Sequence, residues 1–179
     1  MKNKTVSNIV KIATFSSLSF VCFYIGFPLP FLPSWLDIQF SNLPAIIAGF
    51  SMGPISGLLV IFIRTLLKFL LMGTITGGVG ELADFLIGIS VILTTSLIYK
   101  KHKNKKGGII SLIFGSIVWI VVSFFLNWLV LAPLYGLKDK EMASYLFTGA
   151  LPFNIILSVL VSILTFVVYK SISRLLNKF

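Results

Sequence analysis

The sequence is short of charge, and shortest of acid. Only 11% of its 179 residues are charged, and only five are Asp or Glu. A water-soluble domain carries roughly a quarter charged residues. With 57% hydrophobic residues and a mean hydropathy of +1.03, the chain has lipid as its solvent. Cysteine and histidine are nearly absent too. Cys22 is alone in an apolar run, which excludes an internal disulfide and a cysteine zinc set. His102 is alone in a lysine-rich stretch, as a solvated surface residue would be. No Ser/His/Asp arrangement and no HExxH is present, so enzymatic chemistry has no support. The glycine-rich TITGGVGE lacks the Gly-Lys-Ser/Thr ending of a phosphate-binding loop, which argues against a nucleotide site.

Basic residues are what the chain does have, and its formal charge is +10. They cluster at the ends of apolar runs, as membrane topology requires, rather than among aromatics as in a nucleic-acid surface. A spanning helix needs about 20 apolar residues. Runs at 8–27, 54–73, 79–99, 109–132 and 148–170 qualify, and a shorter one, NLPAIIAGFSMG, lies at 42–53. The first resembles the start of a signal peptide, but it ends in YIGFPLP without a small-residue cleavage site and reads as a retained span. Counting the short run as a crossing puts Lys2, Lys4, Lys11, the five lysines of KKHKNKK and Lys170, Arg174 and Lys178 on one side. Only Lys138 and Lys140 then face the other way. The expected fold is therefore all-α: a single six-helix membrane domain over 1–179, with both termini cytoplasmic and an extended first outer loop. The second helix must either begin near Asp37 or be shielded by its neighbours.

That first outer loop reads FPLPFLPSWLDIQF. Pro28, Pro30 and Pro33 forbid a continuous helix and favour extended backbone. After Trp35 the sequence alternates: Leu36, Ile38 and Phe40 are apolar, while Asp37, Gln39 and Ser41 are polar. This is the period of a strand with two faces. Such a segment fits a lid over a ligand, or an interfacial anchor with Trp35 at the headgroups.

Charges inside spans need a reason. Arg64 and Lys68 share one helix face, and Glu81 and Asp84 share a face of the next helix. Counting outward from the 73–80 turn sets Lys68 and Asp84 at similar depth. Mutual neutralisation explains the four, with a ligand role for Glu81 as the alternative. Gly77 permits a tight turn or close backbone approach. Ser116, Ser123 and Asn127 form a stripe on the fifth helix, with Trp119 and Trp128 nearby, and Asn154, Ser158 and Ser162 form one on the sixth. The serines suit helix packing. The two asparagines, near the outer helix ends, offer amide donors and acceptors for an amide- or imide-like ligand edge.

A chain of this length, with six spans and no ATPase motif, resembles the substrate-binding S components of energy-coupling factor (ECF) vitamin importers. FPLPFLPSWLDIQFSNLPAIIAGFSMGPISGLLV followed by GTITGGVGELADFLIG is similar to the riboflavin-binding members. The resemblance implies capture of riboflavin from outside as a transported ligand, with no cofactor. It implies delivery with a transmembrane coupling subunit and two ATPase subunits. Phe31, Trp35 and Phe40 would then face the flavin ring, Asn127 and Asn154 its pyrimidine-like edge, and Asp37, Gln39, Glu81 and the Gly77 backbone its ribityl chain. The family's paired small residues for docking on the coupling subunit fall at Ala13 and Ser17, where serine replaces an alanine. Another vitamin or a flavin analogue is a second reading, and a membrane assembly protein or lipid-modifying enzyme a third.

Overall fold

The computed structural model describes residues 4–28, 36–74 and 77–176. Six helical rods run between two ends of the molecule. They are α1 (Lys4–Tyr24), α2 (Asn42–Met52), α3 (Pro54–Met72), α4 (Val79–Lys101), α5 (Lys105–Leu126) and a last, interrupted rod. That rod comprises α6 (Asp139–Ser144), a π-helical segment (Tyr145–Ala150) and α7 (Leu151–Leu176). A second π segment, Asn127–Leu131, followed by the turn Ala132–Leu134, extends α5. Five of the rods are long and apolar enough to cross a membrane. Four of them end within a few residues of the apolar runs, and the last starts earlier, at Asp139 rather than 148. The all-α, six-helix reading agrees with them.

The exception is α2. Its eleven residues span about 16 Å, roughly half of a 30 Å hydrocarbon core. It does not start near Asp37, because 37–38 is strand. Shielding by its neighbours is the alternative the structure adopts. Eight of its residues are buried, including Ala45, Ile46, Ile47, Ala48 and Phe50. α2 packs on α1, α3, α4 and α7.

Small residues make that central position possible. A side-chain carbon on Gly57 would lie 2.9 Å from the Ala45 carbonyl of α2, and one on Gly88 of α4 would collide with Ile61. Such notches let backbones approach closely where lipid gives no hydrophobic drive for association. Serines act in the same way on the other side of α2's neighbours. Ser116 of α5 and Ser162 of α7 share a 2.8 Å hydrogen bond, as expected of hydroxyls that serve helix packing.

The first loop enters and leaves through a short antiparallel pair. β1 (Phe27–Pro28) lies against β2 (Asp37–Ile38), with Phe27 opposite Ile38 and Pro28 opposite Asp37. A two-stranded ribbon is all edge, so it tolerates a proline. The alternation is visible as burial: Leu36 and Ile38 are buried in the main core, and Asp37 between them is exposed. Phe31 and Trp35, and with them the choice between lid and anchor, lie outside the described residues.

Candidate ligand site

The end opposite the 100–106 lysines holds the buried charges Arg64 and Glu81 and the three buried asparagines, Asn42, Asn127 and Asn154. One set joins the loop to α3 and α4. Arg64 is wholly buried. Its Nη1 donates to Ser41 Oγ at 2.7 Å and lies 2.9 Å from Asp84 Oδ2. The Asp84 approach is electrostatic, since its angle leaves Oδ2 without a hydrogen bond. Ser41 Oγ in turn donates to Gln39 Oε1 at 2.9 Å, and Ser19 of α1 donates to the Ser41 carbonyl. Gln39 is thereby tied through one hydroxyl to a buried guanidinium. Among the described residues, Nε and Nη2 of Arg64 have no hydrogen-bond partner.

One turn nearer that end, Lys68 Nζ lies 3.4 Å from Glu81 Oε1, and Thr74 Oγ1 donates to Glu81 Oε2 at 2.8 Å. Phe23 of α1 lies beneath both cations, its ring centroid 4.4 Å from Lys68 Nζ and 5.7 Å from Arg64 Cζ. Neutralisation across the hairpin is therefore what the four charges do, but in a different register from the equal-depth estimate. Lys68 meets Glu81 rather than Asp84. Both basic side chains have long stems that let their heads reach along the helix toward the polar end, about one turn beyond their own Cα positions. Gly77 is exposed with φ of 63°, and nothing crowds the place of its missing side chain. Gly78, with φ of 94°, starts α4 and donates its N–H to Thr74 Oγ1.

The second set lies on α5, α7 and the π segments. Asn127 opens the first π segment; its Nδ2 donates to the Ser123 carbonyl at 2.8 Å, and its Oδ1 accepts from Tyr145 Oη at 2.7 Å. Asn154 donates to the Ala150 carbonyl at 2.8 Å and accepts from Trp119 Nε1 at 3.1 Å. The partners fix both amides: a carbonyl can only accept and an indole N–H can only donate. Each amide keeps one N–H and one lone pair beyond these bonds. Tyr145, Trp119 and both π segments were not legible as site features from the sequence. A π turn holds an extra residue and is frequent at functional sites. Here one such turn carries Asn127 and the other carries its partner Tyr145.

Tyr135 links the two sets. Its ring is 6.4 Å from that of Tyr145, and burial, with the Glu81 carboxylate adding to it, pushes its phenol up. Trp119 and Phe153 share one core with Leu36 and Ile38, and Phe40 packs against that core. Of the expected ligand residues, Gln39, Phe40, Glu81, Asn127 and Asn154 are thus gathered at this end, with Gly77 at its rim. Asp37 is exposed beside Gly26, and Phe31 and Trp35 fall outside the described residues. Among the described residues, one cavity lies at the lysine end and another along the side of the molecule between α5 and α7. Among the described residues no group of three or more His, Cys, Asp or Glu could hold a metal.

Ala13 and Ser17 are exposed on α1, four residues apart. Ser17 Oγ donates to the Ala13 carbonyl at 3.0 Å, so its hydroxyl is folded back onto its own helix. The position presents a small, satisfied surface in place of the second alanine.

The sequence profile described as "ECF transporter, substrate-specific component" matches residues 7–169. The riboflavin transporter RibU of Staphylococcus aureus (strain TCH60) is 36% identical over 176 residues, covering 95% of this chain and 92% of that protein. The riboflavin transporter FmnP of Bacillus subtilis (strain 168) is 33% identical over 166 residues, covering 88% and 87%. A solved structure, described as "Structure and mechanism of the S component of a bacterial ECF transporter", superposes with a TM-score of 0.83 at 36% identity, over 96% of this chain and 98% of that one. This multi-pass membrane chain belongs to the substrate-specific components of ECF transporters.

Proposed function

We propose that the chain captures riboflavin at the end that carries Asn127 and Asn154, facing outward, and delivers it with a transmembrane coupling subunit and two ATPase subunits. The lysine-bearing end and both termini are then cytoplasmic. The observation that carries the reading is the near full-length likeness to proteins named riboflavin transporters. The geometry supports it. Two oriented amides from different helices suit an edge that carries both carbonyls and an imide N–H. The neighbouring cations Arg64 and Lys68 are already matched to Asp84 and Glu81, which suits an uncharged ligand. In this reading Gln39, Glu81 and the Gly77 backbone address the hydroxyl groups of the ligand, and Asp37, Phe31 and Trp35 belong to the same proposed site.

Titration of the purified chain with riboflavin quenches tryptophan emission, because Trp119 is hydrogen-bonded to Asn154. Half-saturation falls in the nanomolar range, about −12 kcal/mol. FMN competes at least about tenfold more weakly, since its phosphate meets no uncommitted cation in either set. An unresponsive spectrum, or tighter binding of FMN than of riboflavin, removes the proposed ligand.

Docking on the coupling subunit uses the α1 face at Ala13 and Ser17. Replacing Ala13 with Trp abolishes uptake by the assembled transporter while riboflavin binding stays within about twofold, because a bulky side chain blocks close helix approach. Uptake at the parental rate by that variant would show that the coupling subunit seats elsewhere.

A further inference from the structure

A second binding surface lies outside this site, on the lipid-facing side of α5 and α7. The two helices enclose a groove of about 490 Å³. Its walls are apolar: Ile109, Ile113 and Ile117 on α5, and Val159, Ile163 and Val167 on α7. All six are more than 40% exposed in the isolated chain. The only polar groups at its floor, Ser116 and Ser162, are bonded to one another. The groove therefore has nothing to offer a polar guest and suits a hydrocarbon chain.

Its length and its end identify the guest further. From Ile109 to Ile120, eleven residues on at 1.5 Å each, it runs about 16 Å, close to the depth of one leaflet of a 30 Å core. It starts at the lysine end. Lys105 and Lys106 lie four and three residues before Ile109 and continue its face by one turn. Lys170 lies three residues after Val167 and does the same on α7. All three are exposed. The nearby Lys100 and Lys103 instead line the separate cavity at the base of α2 and α3. We infer that the α5–α7 groove holds one acyl chain of an anionic phospholipid from the lysine-side leaflet, with its phosphate headgroup at Lys105, Lys106 and Lys170. Basic positions between helices at a membrane face recognise such headgroups. The groove supplies the second contact that separates a bound lipid from a general attraction to the leaflet. It is built from α5 and α7, whereas Ala13 and Ser17 lie on α1, so lipid and coupling subunit do not compete for one surface.

The test uses the full chain in nanodiscs of equimolar phosphatidylglycerol and phosphatidylcholine, released for native mass spectrometry. The parent chain retains one phosphatidylglycerol in preference to phosphatidylcholine by about tenfold or more. The triple variant K105Q/K106Q/K170Q, altered only at exposed positions, retains the two lipids equally. Ile113→Trp and, from the opposite wall, Ile163→Trp each fill the groove and lose the retained lipid, and either one that melts with the parent decides the matter. Equal retention of both lipids by the parent overturns the inference. So does a groove-filled variant that keeps its phosphatidylglycerol. A parent that is dimeric in the nanodisc, with groove-filled variants monomeric, overturns it in favour of a second copy of this chain.

Discussion

Replacing Asp84 with alanine is expected to destabilise the chain by about 3–5 kcal/mol, because it leaves the guanidinium of Arg64 buried without a counter-charge. Arg64 is fully buried, while the Asp84 side chain is 21% exposed, so partial hydration draws the value toward the lower end of that range. The opposite prediction holds for the pair. Replacing both residues with methionine restores most of the stability, to within about 1–2 kcal/mol of the parent, since apolar residues of similar volume commonly substitute for a buried ion pair. Reversible unfolding in mixed SDS micelles reads both effects. Equal losses in the single and double variants would mean that the arginine matters through Ser41 rather than through Asp84. The double variant carries a second expectation. Without the Arg64 donor, the Ser41 hydroxyl that donates to Gln39 loses the group that orients it. Riboflavin affinity should therefore fall even where stability is recovered.

The largest effect on binding is expected at the two asparagines. Asn127→Ala and Asn154→Ala each weaken riboflavin binding by about 1–3 kcal/mol, the cost of leaving a buried polar group of the ligand unpaired. The two losses need not add, since both amides would address one ligand edge. A control separates binding from folding. Tyr145→Phe removes only the hydroxyl that donates to Asn127. It should leave the protein folded, lower affinity by about 0.5–1.5 kcal/mol, and lose that effect in the Asn127→Ala background. Isothermal titration over the four variants completes the cycle. Parental affinity in both asparagine variants would take these residues out of the site.

Much of the fold was open to direct reading, for reasons that differ by element. The long apolar runs of α1, α3, α4 and α5 leave few alternatives in a membrane, where every backbone group must be satisfied internally. The lysine distribution separated the two ends, and Asn127 and Asn154 stood out because an amide in an apolar helix is costly. The strand at Asp37–Ile38 followed from the alternation after Trp35. Its pairing with Phe27–Pro28 did not, because Pro28 argues against a strand and the pairing depends on a chain reversal that no local signal specifies. The π segments escaped notice for a similar reason. One extra residue in a turn leaves the apolar pattern almost unchanged over NWLVL and YLFTGA. The register of the charge pairs also depends on tertiary packing: equal counting from a turn ignores how far an arginine or lysine stem can reach.

The glycine notches around α2 bear on how the molecule can move. With Gly57 fitted against the Ala45 carbonyl and Gly88 against Ile61, sliding α2, α3 and α4 past one another by even part of a turn would drive side chains into backbone. That trio is a locked gear train with no cheap internal stroke. The softer degrees of freedom are left to its outskirts: α1, most of whose span is not buried among the described residues, and the π-turned ends of α5 and of the last rod. Any larger displacement in the membrane must then carry the locked trio as one piece, with the bilayer rather than the protein interior yielding.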